Sequence, residues 1–502
     1  MVEPKFRSVF LEDIFKAKLG YRPWIMFAPS HLANGFFRAV AETGYYNNDA
    51  LFWAVYAKGD PVRGPKPGKT DSKFDKFSET QRGALQKLSE HKQWQSLLAN
   101  TFGADKTVFT GPGQSSYSLS HAYHTTSDNH DREVGQWLCA ILKKGTARPA
   151  YDLLHQLLTQ PLDTSTDELT VLSLPLIDEN ANPKQKTVDI WPPSCLEWHP
   201  IHGFTDEIVQ VIRNAFDQLA QNDRYTALHN GKLDTLRRMT TLGCFAFYLH
   251  LINIGTELTY LDSEKRVPIF IQLHASPNLN RASQATFQWV ARSIELFLRQ
   301  EIRNILEQQP DLWTSSDAVE QYINQTINWF KTNNHEREQA KVDRYKQDCF
   351  NFFQSYLGTA DDVSLTEALA NALTDMIGFV FSAKPYDVAR NLGVKIGLLD
   401  RYGRQKSKAY TMHPDLLEVL VRSTVDTGEV CTIRELAERW EKYFGILFGG
   451  LSTENDRLEK WGIPPVDRHD LTMNAQALAV QLEQSGYAQR YADGVVLVQV
   501  KQ

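Results

Sequence analysis

The sequence has few cysteines, and they are scattered singly. Five occur in 502 residues, with no Cys-x-x-Cys pair. We therefore expect reduced thiols, and neither a disulfide framework nor a zinc ribbon. No apolar run approaches the roughly 18 residues of a membrane-spanning helix, and the first residues lack the apolar core of a secretory signal. We therefore expect a cytoplasmic protein without a membrane contact.

An excess of positive charge is also missing. The formal net charge is -6, whereas proteins that neutralise nucleic-acid phosphates usually carry a basic surplus, so any such contact must come from a local patch. Hydrophobic residues at 42% and charged residues at 23% are ordinary globular values. The length exceeds what one hydrophobic core normally serves and predicts two or three domains.

Complete catalytic and cofactor motifs are absent as well. The sequence contains no HExxH, no GxSxG and no kinase signature. Gly68-Lys69-Thr70 resembles the end of a phosphate-binding loop, but Arg63 stands where that loop requires glycine. Pro65 and Pro67 also remove backbone N–H donors that would hold phosphate, so we interpret this segment as a surface loop. No cofactor is predicted from these motifs.

Hydrophobic periodicity predicts a mainly α protein. Residues 1–200 form an irregular α+β N-terminal region, with a strand expected at Leu169–Ile177. Residues 201–383 form a helical bundle interrupted by a strand at Val267–Leu273. The bundle helices are expected at Asp206–Gln221, Leu233–Ile254, from Ser283 onward, and at Asp317–Asn333, Arg337–Leu357 and Leu365–Phe381.

Residues 411–502 have a distinct order of elements. Helices are expected at Pro414–Ser423, Thr432–Phe444 and Thr472–Ser485, followed by two short strands around the Asp493-Gly494 turn. Thr432 and Glu435, three residues apart, predict a capping box at the start of the second helix. Three helices followed by a two-stranded wing resemble the winged-helix fold, with an additional segment at 445–470 between the second and third helices. This resemblance implies a module whose third helix commonly contacts DNA.

The charge of this C-terminal unit argues against that role. Nine basic residues face fourteen acidic ones, a net charge of -5, and the expected third helix contains no lysine or arginine. Base readout and phosphate neutralisation both favour these two residue types. We therefore expect the winged-helix-like unit to bind a protein partner rather than DNA.

A basic segment at residues 384–410 precedes this unit. Seven cations and two carboxylates give it a net charge of +5, and tyrosines are interleaved with the cations, as in some single-strand binders. We favour a solvated linker that pairs with the acidic unit, because charge runs are usually solvated, and keep DNA contact as the alternative. The candidate nucleic-acid contacts are Arg390, Lys395, Arg401, Arg404, Lys406 and Lys408.

Two histidine groups offer metal-ligand chemistry. His121, His124 and His130 lie with Asp128 and Asp131 within eleven residues, and imidazole and carboxylate are ligands for zinc and other divalent metals. The three histidines are the candidate metal ligands, although their spacing matches no known motif. Residues Cys195, His199 and His202 form a second, looser group.

The layout favours a non-enzymatic scaffold or adaptor subunit. It resembles the motif-poor accessory subunits of prokaryotic multi-gene anti-phage or DNA-processing systems, on the strength of the domain order and of the segments Thr432–Phe444 and Thr472–Val500. That resemblance implies a protein partner such as a helicase, ATPase or nuclease. The alternatives are a metal-dependent hydrolase or nuclease with its site in the N-terminal region, and a DNA-binding regulator that uses the 384–410 segment.

Overall fold

The protein is mainly helical, as the sequence predicts. The computed structural model describes residues 14–15, 19–23, 27–42, 49–56, 60–62, 74–102, 120–126, 128–161, 167–177, 206–229, 231–256, 266–308, 315–327, 336–358, 363–380, 385–400 and 408–501. These residues contain 18 α-helices and five short strands. None of the described helices combines the length and the apolarity needed to cross a membrane.

The first part of the chain is built from short helices. Pro29 begins the first of them, where the missing proline N–H costs no helical hydrogen bond. Ser78 and Gln81 form a capping box at the start of another. The helices are α1 (Pro29–Ala41), α2 (Asp49–Tyr56), α3 (Glu79–Glu90), α4 (Lys92–Phe102), α5 (Val134–Lys143), α6 (Pro149–Thr159) and α7 (Glu168–Ser173).

The strand expected at Leu169–Ile177 is wrong. This segment forms α7 and a 3-10 turn at Leu174–Leu176. Asp167 caps α7 by accepting the backbone N–H of Thr170 at 2.8 Å, and its other carboxylate oxygen lies 3.0 Å from the Lys232 ammonium. The local cap therefore outweighs the β-propensity of the apolar run.

The bundle contains longer helices than those of the first part. They are α8 (Asp206–His229), α9 (Lys232–Asn253), α10 (Pro277–Glu307), α11 (Ser316–Ile327), α12 (Glu336–Leu357) and α13 (Leu365–Val380). The helix expected from Ser283 begins earlier, because Ser276 accepts the backbone N–H of Asn278 as an N-cap and Pro277 occupies the first helical position. The strand expected near Val267 is present as β1 (Ile269–Phe270).

The C-terminal elements follow a short connecting helix, α14 (Pro385–Lys395). In chain order they are α15 (Pro414–Arg422), β2 (Val430–Thr432), α16 (Ile433–Phe444), β3 (Ile446–Leu447), α17 (Glu454–Lys460), α18 (Arg468–Gln484), β4 (Ala488–Arg490) and β5 (Val496–Gln499). Strands β2, β5 and β4 form an antiparallel sheet with β5 in the centre. Thr432 and Glu435 complete the expected capping box of α16.

One continuous hydrophobic core joins the bundle to the C-terminal elements. It contains buried side chains from Ile14 to Val500, and β1 pairs in parallel with β3, which lies in the 445–470 segment. A smaller second core packs α2, α3 and α4 against the 3-10 turn at Leu174–Leu176. The C-terminal unit is therefore fixed to the bundle by shared packing and by backbone hydrogen bonds.

Candidate functional site

Helix α1 carries an unusual buried polar stripe. His31, Asn34 and Arg38 are spaced by three and four residues, so they lie on one face of a helix whose other buried residues are mostly apolar. All three side chains are directed at the loop formed by residues 126 and 128–131. Burying polar groups is costly unless each finds a partner, and here the loop supplies the partners.

Asn34 and Arg38 hold the backbone of this loop. The Asn34 amide accepts the N–H of Thr126 at 2.7 Å and donates to the carbonyls of Thr126 and Asp128 at 3.2 and 3.1 Å. The Arg38 guanidinium donates to the same carbonyls at 2.6 and 2.8 Å. Five hydrogen bonds from two side chains thus fix the position of Asp128 relative to α1.

The centre of the site is a cluster of His31, Asp128 and His130, with one potential ligand atom of each within 4.8 Å of the others. The Asp128 carboxylate lies between the rings: Oδ2 is 2.7 Å from Nδ1 of His31, and Oδ1 is 2.5 Å from Nδ1 of His130. Oδ1 also accepts the backbone N–H of His130 at 3.0 Å. The side chains of His31 and Asp128 are almost fully buried, while that of His130 is 39% exposed.

A second buried carboxylate, Asp131, lies directly behind this cluster. Burial raises its pKa to about 7, against the opposing charge of Arg38 and a hydrogen bond from the backbone N–H of Gly135. Helix α1 accommodates it because Gly35 has no side chain: a Cβ there would lie 2.0 Å from Asp131 Oδ2. Asp131 lies close to the candidate histidines in the sequence, but the sequence does not indicate that Gly35 makes room for it.

The end of the loop holds an unusual backbone conformation. Arg132 and Glu133 adopt φ angles of +50° and +71°, in a backbone region that residues other than glycine rarely occupy. Arg22 stabilises this turn, since its guanidinium binds both carboxylate oxygens of Glu133 and its backbone N–H donates to the carbonyl of Arg132 at 3.0 Å. The loop is therefore anchored at both ends.

The structure does not bring His121 and His124 into this cluster. His121 Nδ1 accepts the backbone N–H of Tyr123 at 3.2 Å, and Nε2 lies 2.8 Å from the carbonyl of Gln160. His124 contacts Ser120 through Nδ1 and Ser173 through Nε2. Burial lowers the pKa of His121 to about 4 and that of His124 to about 3, so both rings are neutral near pH 7.

The expected ligand set is therefore rearranged. Only His130 of the three expected histidines belongs to the cluster, and His31, which lies almost 100 residues earlier in the sequence (97 before Asp128), takes the place of the other two. A buried polar stripe on an apolar helix was the available signal for His31. The group Cys195, His199 and His202 lies outside the described residues, as does the segment at 63–70.

The cluster suits two kinds of chemistry. A buried carboxylate that accepts Nδ1–H fixes the tautomer and orientation of an imidazole, which is the arrangement of an oriented general base. Two imidazoles and one carboxylate are also a common ligand set for divalent transition metals. Both uses depend on the partly exposed ring of His130, because a substrate or a metal ion can reach the cluster from solvent at that ring.

The basic segment is organised differently from a solvated linker over its described part. Residues 385–395 form α14, which packs on α9 and α10. Arg390 pairs with Asp387 at 3.0 Å, and Lys395 donates to the carbonyl of Phe27 at 2.6 Å. Lys408 is buried and donates to the carbonyl of Asp400. Arg401, Arg404 and Lys406 lie outside the described residues.

The third helix of the C-terminal unit is docked on the bundle. Asn474 of α18 is completely buried; its Oδ1 accepts the backbone N–H groups of Leu273 and His274, and its Nδ2 donates to the carbonyls of Ile271 and Phe448. The Asp470 carboxylate accepts hydrogen bonds from the side chains of Ser276 and Asn278 at the start of α10. These contacts engage the N-terminal half of α18.

Comparison with known proteins gives no family assignment. No family model and no curated protein matches the chain. What the protein does must therefore be argued from the arrangement of its own residues.

Proposed function

We propose that this chain is a non-enzymatic scaffold or adaptor subunit of a multi-protein complex that acts on DNA. In this proposal the C-terminal unit is a winged-helix-like module that binds a protein partner, such as a helicase, ATPase or nuclease subunit. The observation that carries the proposal is the docking of α18 on the bundle through Asn474 and Asp470. A prokaryotic anti-phage setting rests on the resemblance in domain layout alone.

The topology of the C-terminal unit supports the winged-helix interpretation. The order α15, β2, α16, α18, β4, β5 places three helices before a hairpin, and β2 joins that hairpin as a third strand beside β5. The hairpin turn closes through the backbone N–H of Tyr491, which donates to Val495 at 2.9 Å, and Gly494 adopts φ +84°. The additional elements contact the bundle: β3 pairs with β1, and the carbonyl of Trp461, directly after α17, accepts the indole N–H of Trp289 of α10 at 2.8 Å.

The docked helix disfavours DNA readout. Helix-turn-helix proteins contact base edges with the N-terminal residues of the recognition helix. In α18 this half of the helix holds Asp470 and Asn474 against the bundle. The solvent side of α18 carries Thr472, Gln476 and Val480, which offer no cation for phosphate or guanine. The helix begins four residues earlier than expected, so it does include one exposed cation, Arg468, at its first position.

The arginines of the unit are largely engaged in ion pairs. Arg490 is the cation of the hairpin, and it binds Glu483 of α18 at 2.8 Å. Phosphate binding would have to compete with such pairs before releasing counterions from DNA. The arginines that pair with a carboxylate are Arg422, Arg434, Arg439, Arg457 and Arg490.

Exposed apolar side chains on the same unit favour a protein partner. Val480 on α18, Val430 on β2, and Tyr491 and Val495 beside the hairpin turn are each between 42% and 50% exposed. Aromatic and aliphatic residues surrounded by polar ones are typical of protein interfaces, whereas DNA interfaces are strongly basic. The acidic balance of the unit gives the partner surface a preference for positive charge.

The proposal is tested on the full chain expressed in its native host. Wild type, Val480→Glu and Tyr491→Ala are affinity-purified after mild cross-linking, and proteins that co-purify stoichiometrically are quantified by mass spectrometry. We expect each substitution to reduce the partner at least about tenfold, as an interface hot spot would. Leu97→Glu is the matched control, because Leu97 is 54% exposed on α4, outside the C-terminal unit.

Two outcomes would contradict the adaptor proposal. The first is a partner yield that falls as much in Leu97→Glu as in Val480→Glu. The second is direct binding of the purified chain to a short DNA duplex, with an affinity that drops steeply between about 50 and 200 mM salt. Either result would favour a different surface or a DNA-binding regulator.

A metal-dependent hydrolase or nuclease is the second candidate function. The cluster of His31, Asp128 and His130 favours it, because these residues place metal-ligand chemistry in the N-terminal region. Cleavage of single- or double-stranded DNA in the presence of Mn²⁺, abolished in Asp128→Asn, is the expected result for this candidate. Equal DNA cleavage by wild type and Asp128→Asn would exclude this candidate function.

A further inference from the structure

We propose that His31, Asp128 and His130 bind one divalent first-row transition-metal ion, of the Zn²⁺, Mn²⁺ or Fe²⁺ class. The site uses the partly exposed side of His130 as its entrance. It is independent of the partner surface on the C-terminal unit, so the failure of one proposal leaves the other standing.

The donor atoms define the class of ion. Two imidazole nitrogens and one carboxylate oxygen suit borderline ions such as Zn²⁺ and Fe²⁺, whereas an all-oxygen set would suit Mg²⁺ or Ca²⁺. No thiolate belongs to the cluster among the described residues; Cys139, Cys244, Cys349 and Cys431 are buried free thiols outside it. These residues therefore do not form a closed structural zinc site with cysteine ligands.

Three protein ligands leave coordination positions for water or a substrate group. Zinc sites with three protein ligands and an open position are catalytic or substrate-binding, whereas structural sites are closed by four. The open side here is that of His130, whose ring is 39% exposed, while His31 and Asp128 form the buried floor. The proposed ligand is thus a metal ion with exchangeable water.

The spacing of the three side chains requires only a small adjustment. Two ligand atoms that are each about 2.1 Å from one ion lie about 3.0 to 3.4 Å apart. The Nδ1 to carboxylate distances are 2.7 Å for His31 and 2.5 Å for His130. Each of these distances must therefore lengthen by about 0.3 to 0.9 Å. An outward movement of the exposed His130 ring lengthens the second, and the first requires a shift of the Asp128 carboxylate or of the His31 ring. Coordination through Nδ1 requires the proton that each Nδ1 now donates to Asp128 to move to Nε2 of the same ring, a change of tautomer that releases no net proton.

The surroundings hold the ligands in place before an ion arrives. Asn34 and Arg38 hold the carbonyls of Thr126 and Asp128 at the start of the loop, and Thr126 Oγ1 accepts the N–H of Asp128 at 3.2 Å. The left-handed residue Glu133 and its partner Arg22 anchor the far end. Outer-shell contacts of this kind orient metal ligands, and a site on a helix and an anchored loop loses little entropy on binding.

Direct metal binding by the full chain is the test. The protein is stripped with a chelator, dialysed separately against Zn²⁺, Mn²⁺, Co²⁺ and, without oxygen, Fe²⁺, and its metal content is measured by mass spectrometry. We expect about one ion per chain for at least one of these metals, with Co²⁺ giving visible d–d absorption. No saturable, stoichiometric binding of any of them would overturn the proposal.

Two variants separate this site from ordinary surface histidines. His130→Gln removes the exposed ligand without disturbing the buried floor, and we expect it to weaken binding about tenfold or more and to abolish the Co²⁺ spectrum. His413→Gln is the matched control, since His413 is exposed and its Nδ1 lies 3.5 Å from a carboxylate oxygen of Asp415. Equal affinities in the two variants would assign the ion to another place and refute the ligand set.

Discussion

The side-chain Oδ1 atom of Asn474 lies 2.7 Å from the backbone nitrogen of Leu273, although the two residues are 201 positions apart. Asn474 belongs to the third helix of the C-terminal unit and Leu273 follows the strand β1 of the bundle. A helix whose position in the sequence suggests nucleic-acid recognition is thus held from inside by the bundle. Contacts with the bundle therefore determine how the C-terminal unit is oriented.

The first prediction concerns this amide. Asn474→Ala leaves two part-buried N–H groups and two buried carbonyls without this partner, and an unsatisfied buried group costs about 1 to 3 kcal/mol. We expect urea unfolding to show a loss of about 3 kcal/mol or more. Gln476→Ala, at an exposed position of the same helix, should change stability by less than about 0.5 kcal/mol. Similar losses in both variants would show that Asn474 does not join the units.

A second prediction concerns the buried carboxylate of Asp223. It is fully buried between Arg238 and Arg422, at 2.6 and 2.7 Å from their Nε atoms, and so links α8, α9 and α15. Asp223→Asn removes the carboxylate partner of Arg422 and one of the two carboxylate partners of Arg238, whose other partner is Glu418 at 3.0 Å. The substitution should cost about 3 to 5 kcal/mol of unfolding free energy.

The exposed pair of Asp234 and Arg237 is the control for Asp223. The shortest distance between their charged atoms is 3.9 Å, and both side chains are about half exposed or more. Exposed ion pairs contribute about 0 to 1 kcal/mol, so Asp234→Asn should be close to wild type in the same urea titration. A loss in Asp223→Asn no larger than that in Asp234→Asn would contradict the structural role of Asp223.

A third prediction concerns the close approach of α1 and α5. A Cβ at Gly135 would lie 2.3 Å from the backbone nitrogen of Phe36, and backbone atoms of a packed helix cannot move away cheaply. Gly135→Ala should therefore lower the unfolding free energy by about 1 to 3 kcal/mol. Gly83→Ala is the control, because nothing lies within 4 Å of its added Cβ in α3; the better helix former should stabilise by up to about 1 kcal/mol.

A fourth prediction concerns the pH dependence of stability. Burial holds the pKa of His121 at about 4 and that of His124 at about 3, below the usual 6.5. The unfolded chain therefore binds more protons than the folded protein between about pH 3 and 6.5. Stability is retained above pH 6.5 and lost as the pH falls through this window, by about 2 kcal/mol per histidine at pH 5.

The measurement for this prediction is the difference in unfolding free energy between about pH 7.5 and pH 5. His124→Gln should reduce that difference by about 2 kcal/mol whatever its effect at neutral pH, because the variant has one titrating group fewer. Gln476→Ala, at an exposed position and without a titrating group, should keep the wild-type difference. An unchanged difference in His124→Gln would mean that its ring is protonated in the folded state.

Local patterns predicted most of the helical elements. The three- and four-residue spacing of apolar side chains placed α10, α12 and α13, and Thr432 with Glu435 placed the start of α16 to the residue. The failure at Leu169–Ile177 has a local cause too, since the Asp167 cap was the overlooked signal. Periodicity and caps act within one turn of a helix, so they can be read directly from the sequence.

The candidate site could be predicted only in part. Asp128 and His130 stood out because they lie close together in the sequence, but His121 and His124, equally close, use both ring nitrogens for internal hydrogen bonds. The polar stripe of His31, Asn34 and Arg38 was a local signal, but nothing in the sequence joined His31 to Asp128, 97 residues later. Which polar groups meet across α1 and the loop depends on helix packing and on Gly35, which leaves room for Asp131.

The sequence by itself determined a mainly helical chain, the boundaries of the long helices α9, α12 and α13, and the acidic, lysine-poor character of the C-terminal unit. Tertiary structure decided which face of α18 is buried, which cations are engaged, and which histidines share a carboxylate. The physical reason is the sequence separation of the residues that interact. Helix propensity and charge are properties of neighbouring residues, whereas burial of Asn474, Asp223 and His31 depends on contacts between segments about 100 to 200 residues apart.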